Sequence, residues 1–429
     1  MAAQSLKAAI PAPVRVGVAA VLDVLHFRKK FIDVPHGVDL KVGLPVDVAV
    51  YFPDNLPKAY QLTQWLPILD HHPADLSFGL VVRKIEVYQE LIKQTKLPVA
   101  YLPTFTDLME FYRVSPIKAV IYVNNGMGNF QSLTVAELAH VHVNHGESDK
   151  VCMVSNQVKA YDRVFVAGEA AVRRHRAALS EFNEKVLVRV GRPQLDENPS
   201  AAIPESSRRT ILYAPTWAGE DEANNYTSME FIGPKIVEAI LAQPDVRLIY
   251  KPHPRVADSE DANIRKHHKE IVRAIKQANA KDSGAGHQVR EAGDILALFP
   301  RVDLLISDVS SIALDFLYLR TEAPIILTDR RNNIEQLRID SPLSVATPVL
   351  SKVNIIETKK IVGDILAVDK FVKDRKVLRD FYFDNVRAGE SAPRFFKALH
   401  QVIAEHSADV QRAKSLAEKG TGPHFEHND

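Results

Sequence analysis

The chain has 429 residues, of which 46% are hydrophobic and 25% are charged. At about 150 residues per domain, this length predicts two or three domains, and the composition is typical of a globular protein rather than a disordered or fibrous one. The formal net charge is +1, so the broad basic surface of a nucleic-acid-binding protein is not expected. The single cysteine, Cys152, excludes an intramolecular disulfide and a cysteine-cluster metal site, and it favours a reducing, cytoplasmic compartment.

The first 40 residues contain an apolar stretch, at 16–22, which Asp23 interrupts. The stretch is far shorter than the ~18 apolar residues that a membrane-spanning helix needs. In a helical conformation, one face would carry Val14, Val18, Val21, Leu22 and Leu25, followed by Arg28, Lys29 and Lys30. Two interpretations remain open: an interfacial helix that attaches the protein peripherally to the inner face of the cell membrane, or an ordinary helix packed on its own domain.

Short β-branched runs alternate with longer amphipathic segments along the rest of the chain. Strands are predicted at 46–52, 119–123, 139–143, 164–167, 186–190, 210–213, 246–250, 304–307 and 324–327. Helices are predicted at 84–93, 170–179, 231–241, 264–278 and 312–319. This alternation is typical of parallel sheets that are covered by helices on both faces.

A cluster of prolines and serines between Pro193 and Arg209 lacks any apolar period and predicts a domain boundary. We therefore expect an N-terminal α/β domain at 41–200, a C-terminal α/β domain at 205–405, and a helical end with a frayed tail at 406–429. The predicted fold is α/β, with two doubly wound, Rossmann-like domains that face a cleft. In such sheets, ligands bind at the carboxyl ends of the strands.

Four polar clusters follow predicted strands. His145 and Gly146 follow the strand at 139–143, and imidazole is a natural base for a hydroxyl nucleophile. The run 251–255, Lys-Pro-His-Pro-Arg, follows the strand at 246–250 and combines rigid prolines with side chains suited to a phosphate. The other two clusters are 307–311, where serines precede a helix, and 213–217, after the first strand of the second half. Together they favour phosphate chemistry.

Two other interpretations of single residues carry less weight. His140, His142 and His145 have a spacing that could suit a metal, but a regular strand would point His145 away from the other two. Ordinary strand histidines are the preferred interpretation, and the sequence requires no metal or cofactor. Cys152 has no activating neighbour in the sequence, so we expect a small buried residue rather than a nucleophile.

The motifs together resemble the CDP-glycerol glycerophosphotransferases, the family of teichoic-acid primases and polymerases. The resemblance rests on 211–217 (ILYAPTW), 251–254 (KPHP) and 308–311 (DVSS) followed by Asp315 and Phe316. It extends to 166–168, to 191–193 with Asp196, and to the histidine–glycine turn at His145. The motifs stand in family order from about residue 119 to residue 327.

The resemblance implies a glycosyltransferase-B architecture and transfer of glycerol phosphate from CDP-glycerol to a hydroxyl of a lipid-linked or polymeric cell-envelope acceptor, with release of CMP. By the same resemblance, His145 would deprotonate the acceptor, and His253 would steady the diphosphate and the leaving CMP. The donor and phosphate-binding residues that it implies are Arg192, Thr216, Lys251, Arg255, Asp308, Ser310 and Ser311.

The sequence departs from the family pattern directly after His145. Family polymerases tend to have His-Gly-Thr-Pro-Leu-Lys, whereas here Glu147, Ser148 and Asp149 stand between Gly146 and Lys150. We expect this change on the acceptor side, which leaves the acceptor open. A related transferase or epimerase that uses another nucleotide-activated sugar or alcohol, and a non-catalytic nucleotide-binding member of the family, are the alternatives.

Overall fold

The structure, a computed structural model, describes residues 36–197 and 199–418. An N-terminal parallel sheet has seven strands in the order β3-β2-β1-β4-β5-β6-β7. Its strands are β1 (Val48–Phe52), β2 (Phe78–Val82), β3 (Val99–Tyr101), β4 (Ala119–Tyr122), β5 (Ala139–His142), β6 (Arg163–Val166) and β7 (Leu187–Arg189).

A C-terminal parallel sheet has six strands in the order β10-β9-β8-β11-β12-β13. Its strands are β8 (Arg209–Ala214), β9 (Val246–Tyr250), β10 (Gln288–Val289), β11 (Leu304–Ser307), β12 (Ile325–Asp329) and β13 (Val349–Ser351). In each sheet the strand order reverses beside the first strand, as in Rossmann-like domains, which opens a crevice at the carboxyl ends of the strands.

The α-helices, of which the last three follow the final strand, cover both faces of each sheet. They are α1 (Tyr60–Thr63), α2 (Leu66–Asp70), α3 (Ile85–Leu91), α4 (Phe105–Val114), α5 (Asn129–Ser132), α6 (Glu169–Ala178), α7 (Gly233–Leu241), α8 (Ala262–Lys281), α9 (Ser311–Leu319), α10 (Ile334–Asp340), α11 (Thr358–Ala367), α12 (Val372–Phe383) and α13 (Ser391–Glu418). Strands such as β1 and β9 are buried along their whole length, because helices pack on both sides of them.

The predicted α/β class with two doubly wound sheets is confirmed. All nine predicted strands and all five predicted helices occur, with ends that differ by at most three residues. The strands that the sequence analysis missed are β2, β3, β10 and β13. Three of these are only two or three residues long, and a glycine interrupts the apolar run of β2.

The C-terminal helix α13 corrects the predicted domain limits. Residue 405 lies inside this helix rather than at a boundary. The side chains of Phe395, Leu399 and Val402 belong to the apolar core of the first sheet, together with Val50 on β1. The chain therefore returns from the second sheet to complete the core of the first, so 205–405 is not a self-contained unit.

The apolar segment at 14–25 lies outside the described residues, so its predicted membrane contact stays a prediction. Within the described part of the chain, no helix has both the length and the apolar content that crossing a membrane requires. Cys152 is exposed, not buried as expected, because it lies in a short turn on the surface.

Replacing Phe395 by alanine should lower the free energy of unfolding by about 3–5 kcal/mol, because it opens a cavity between α13 and the first sheet. Chemical denaturation followed by circular dichroism measures the loss. Val377→Ala, at a position that is 69% exposed, is the control and should change stability by less than about 0.5 kcal/mol. Equal losses in the two variants would contradict the assigned packing of α13.

Candidate active site

Two histidines face the same space from different sheets. His145 follows β5, and His253 follows β9. The ring of Tyr60 lies between them, with its centroid 5.7 Å from that of His145 and 6.2 Å from that of His253, edge-on to both. The structure therefore brings the two predicted catalytic residues to one cleft.

Hydrogen bonds to Asn144 stabilise the turn that carries His145. Asn144 has a φ of +56°, a left-handed conformation that asparagine tolerates better than most residues. The indole nitrogen of Trp65 donates to the Asn144 carbonyl (2.8 Å), and the His145 N–H donates to the Asn144 side-chain oxygen (2.8 Å). Burial, followed by the charge of Arg192, lowers the pKa of His145 to about 4, so the ring is neutral at neutral pH and can accept a proton.

Arg192 joins the two halves. Its Nε and Nη2 donate to the two carboxylate oxygens of Asp315 on α9, at 2.6 and 2.9 Å, and its Nη1 donates to the His145 carbonyl (3.2 Å). Both partners of the ion pair are buried. Three of the five N–H donors of Arg192 are thus directed to Asp315 and to the His145 turn, and its predicted contact with phosphate stays a prediction.

His253 is fixed in one neutral tautomer. Its backbone N–H donates to the Pro215 carbonyl (3.0 Å), and its Nδ1 accepts from the Arg255 N–H (3.2 Å). With Nδ1 an acceptor, Nε2 carries the proton of the neutral ring. Burial, and then the charges of Lys150, Arg255 and Lys251, lower the pKa of His253 to about 3. The site is therefore strongly electropositive, which suits an anionic ligand.

Asp308 lies beneath the cleft rather than in it. Its carboxylate is fully buried and accepts from the Thr216 N–H (2.7 Å), the Ser228 N–H (3.1 Å) and the Thr328 hydroxyl (2.6 Å). This carboxylate organises the loop after β8 and holds it to strand β12, and its full burial is contrary to the predicted contact with phosphate.

The start of helix α9 faces the His145 turn. Ser310 occupies the N-cap position without a capping bond from its side chain, and Ser311 is the first helical residue. A Cβ added to Gly146 would lie 3.3 Å from the Ser311 Cβ, so the absence of a side chain lets the turn approach the helix. The free N–H groups of a helix start can bind an anion, and phosphate binding by the two serines stays a prediction.

The remaining predicted donor residues line the same region. Lys150 donates to the Thr216 hydroxyl (3.0 Å) across the cleft, and burial lowers the pKa of Lys150. Arg255 packs over the Trp217 ring, 4.3 Å from its centroid. Lys251 is buried, and its ammonium donates to the Glu291 carbonyl (3.3 Å). The Thr216 hydroxyl therefore accepts a hydrogen bond from Lys150 in the structure.

The acidic residues after Gly146, which the sequence placed on the acceptor side, form buried ion pairs. Glu147, Ser148 and Asp149 are all buried, and both carboxylates pair with Arg174. Asp149 also accepts from the hydroxyls of Ser341 (2.9 Å) and Tyr382 (2.5 Å) in the C-terminal half. Burial raises the pKa of Asp149 to about 7. Asp149 therefore connects the His145 turn to the second domain.

The other histidines of the first sheet have structural partners. His140 is hydrogen-bonded to the Tyr122 hydroxyl (2.8 Å) and the Val135 carbonyl (2.9 Å), and His142 stacks on Tyr161. Within residues 36–197 and 199–418, no three histidine, cysteine or carboxylate side chains are grouped as they would be around a metal ion.

Tyr60 is the residue that sequence reasoning missed. It follows β1, at the carboxyl end of the strand beside which the order of the first sheet reverses. The rule that places ligands at this point would have identified the loop. The four polar clusters that the sequence predicts as a site all follow later strands.

The sequence model of the family described as CDP-glycerol:poly(glycerophosphate) glycerophosphotransferase matches residues 97–329. This is more than half of the chain, and the protein belongs to this family. The match contains β4 to β12 and therefore both histidines, the start of α9 and the Arg192–Asp315 pair. No curated protein matches the sequence.

Solved structures share the fold at low sequence identity. The wall teichoic acid polymerase TagF is 13% identical, with 91% of this chain and 98% of that chain covered and a TM-score of 0.52. The UDP-GlcNAc 2-epimerase from Neisseria meningitidis is 11% identical, with 83% and 100% covered and a TM-score of 0.52. MnaA from S. aureus is 14% identical, with 82% and 94% covered and a TM-score of 0.52. The predicted two-domain architecture is thus confirmed.

Asp315→Asn should lower the free energy of unfolding by about 3–5 kcal/mol, because it leaves the buried guanidinium of Arg192 without its counter-charge. Thermal and chemical denaturation measure the effect. Glu184→Gln, which breaks the exposed Arg176–Glu184 pair, should change stability little. If the two variants lose equal stability, the pair does not connect the domains as described.

Proposed function

We propose that the protein transfers glycerol phosphate from CDP-glycerol to a hydroxyl of a cell-envelope acceptor and releases CMP. The observation that carries the proposal is the convergence of two neutral histidines, His145 and His253, with a helix start and three cations in one cleft. Membership of the glycerophosphotransferase family supports the reaction class. A solved form of the polymerase TagF that was soaked with CDPG supports the choice of donor.

The diphosphate of the donor would lie between the loop after β9 and the start of α9. Lys150, Lys251 and Arg255 concentrate positive charge around His253, where they would bind the phosphate oxygens. The Nε2–H of His253 would donate to the diphosphate and stabilise the charge that develops on the departing CMP. The proposal requires no cofactor or metal in addition to the two substrates.

His145 would act as the general base. The acceptor oxygen forms a bond to the β-phosphorus as the acceptor proton moves to the His145 ring, and the bond from that phosphorus to the oxygen of CMP breaks. The electron pair leaves with CMP. Phosphoryl transfer depends mainly on positioning and charge stabilisation, and the Arg192 bond to the His145 carbonyl provides the positioning.

The acceptor is proposed to be lipid-linked or polymeric, and the enzyme to work in the cytoplasm, peripherally at the inner face of the cell membrane. Support comes from the family, whose named acceptor is poly(glycerophosphate), and from the apolar stripe with a basic end at 14–30. Basic residues near an anionic leaflet attract a protein to it by about 1 kcal/mol each.

His145→Ala should slow transfer by ~100- to 10,000-fold, because it removes the proton acceptor, while the variant still binds CDP-glycerol through the other domain. Single-turnover release of CMP, with calorimetric titration of the donor, measures both. A folded variant that binds donor and keeps nearly the wild-type rate would end the assignment.

The pH dependence of the wild type belongs to the same prediction. The pKa of His145 in the free enzyme is lowered to about 4, so the base stays deprotonated as the pH falls from 7.5 to 6. The value of kcat/KM should therefore stay level over that interval, as long as the charge of the donor does not itself change there. A fall centred near pH 6.5, the value of an unperturbed histidine, would contradict a base of lowered pKa.

CDP should raise the melting temperature of the wild type, since a ligand that binds only the native state stabilises it. His253→Ala, and the double variant Ser310→Ala with Ser311→Ala, should lose most of this shift, because each removes a contact to the diphosphate. His400→Ala, outside the cleft on α13, is the control and should keep the shift. An unchanged shift in both site variants would contradict the pocket.

A further inference from the structure

Tyr60 occupies the space between the two histidines. Its ring is edge-on to His145 and to His253, with interplanar angles of 87° and 83°. The side chain is 37% exposed, so its other side faces the solvent at the mouth of the cleft. An aromatic ring in this position separates both histidines from bulk water.

The segment that carries Tyr60 is anchored on both sides of the cleft. On the first domain, Leu62 and Trp65 are buried in the core, and the Asn124 side chain donates to Gln61 (2.7 Å). Across the cleft, Lys58 pairs with Glu220 (3.4 Å), which also lies 4.0 Å from Arg255. The segment that carries the ring is thus anchored to its own domain by buried side chains. It is anchored to the other domain by an exposed ion pair, which contributes little to stability.

Tyr60 lies outside the part of the chain that the family model matches, which begins at residue 97. The reacting groups stand inside that part, whereas the group that covers them is supplied by the loop after β1. The family match therefore does not account for Tyr60.

We propose that Tyr60 is a positioning residue that closes the acceptor side of the reaction space against water until the acceptor alcohol displaces its ring. The inference rests on the proposed transfer reaction. Without the ring, a water oxygen would bond to the β-phosphorus, its proton would pass to His145, and the bond to CMP would break. The enzyme would then hydrolyse its donor to glycerol phosphate and CMP, because water competes wherever a reactive centre is not shielded.

The test measures release of CMP from CDP-glycerol by the full-length protein, without an acceptor. Tyr60→Ala should hydrolyse the donor roughly tenfold faster than the wild type, since water then reaches the phosphorus. Tyr60→Phe, which keeps the ring, should retain the low rate. Phe105→Ala removes another exposed aromatic ring of the same domain and should match the wild type. A Tyr60→Ala rate equal to that of the wild type would overturn the proposal.

A second measurement does not depend on catalysis. Diethyl pyrocarbonate acylates neutral imidazole, and mass spectrometry locates the modified residues. His145 and His253 should react faster in Tyr60→Ala than in the wild type, Tyr60→Phe or Phe105→Ala. If the wild type releases no CMP with any acceptor, the proposed transfer function is wrong. The labelling then tests on its own whether Tyr60 shields the histidines. Equal labelling in all four proteins would show that the ring does not shield the histidines.

Discussion

The buried ion pair between Arg192 and Asp315 is the interaction on which the geometry of the cleft depends. It connects the end of the first domain to helix α9 of the second, and the same guanidinium donates to the carbonyl of His145. Burying two charges is costly, and a buried pair often adds little net stability. Its geometry nevertheless constrains both domains, because loss of either partner leaves an uncompensated charge. The pair therefore fixes where His145 stands relative to the start of α9.

The electrostatics of the cleft are arranged in two layers. In the cleft, burial and then the charges of Lys150, Arg255 and Lys251 lower the pKa of His253, because crowded like charges disfavour a further positive charge. Beneath it, Asp308 accepts three hydrogen bonds that hold the loops carrying Thr216 and Ser228. The negative charge thus acts on loop geometry, and the positive charges leave the cleft electropositive.

The alternation of apolar strands and amphipathic helices was sufficient to predict the fold class and most central strands, because burial on both faces leaves a clear apolar run. Short edge strands such as β10 leave no such run. Of the site, the histidines and the serines of α9 could be predicted, since they follow strands directly. Arg192 and Asp308 were assigned to the ligand because sequence shows charge but not its partner. Asp315 lies 123 residues from Arg192 along the chain, and the partners of Asp308 lie 20 to 92 residues from it, so these pairings exist only in the folded chain.

The residues that interrupt the family pattern show why a local sequence departure need not change chemistry. Glu147 and Asp149 look like a change in the substrate side of the site, yet both pair with Arg174 on α6. Asp149 also reaches Ser341 and Tyr382 of the second domain, so it joins the domains close to the Arg192–Asp315 pair. The His145 turn is therefore bound to the second domain through its carbonyl and through the residues that follow it. Because both attachments lie behind the turn, the imidazole is left facing the cleft, where the ring of Tyr60 lies edge-on to it.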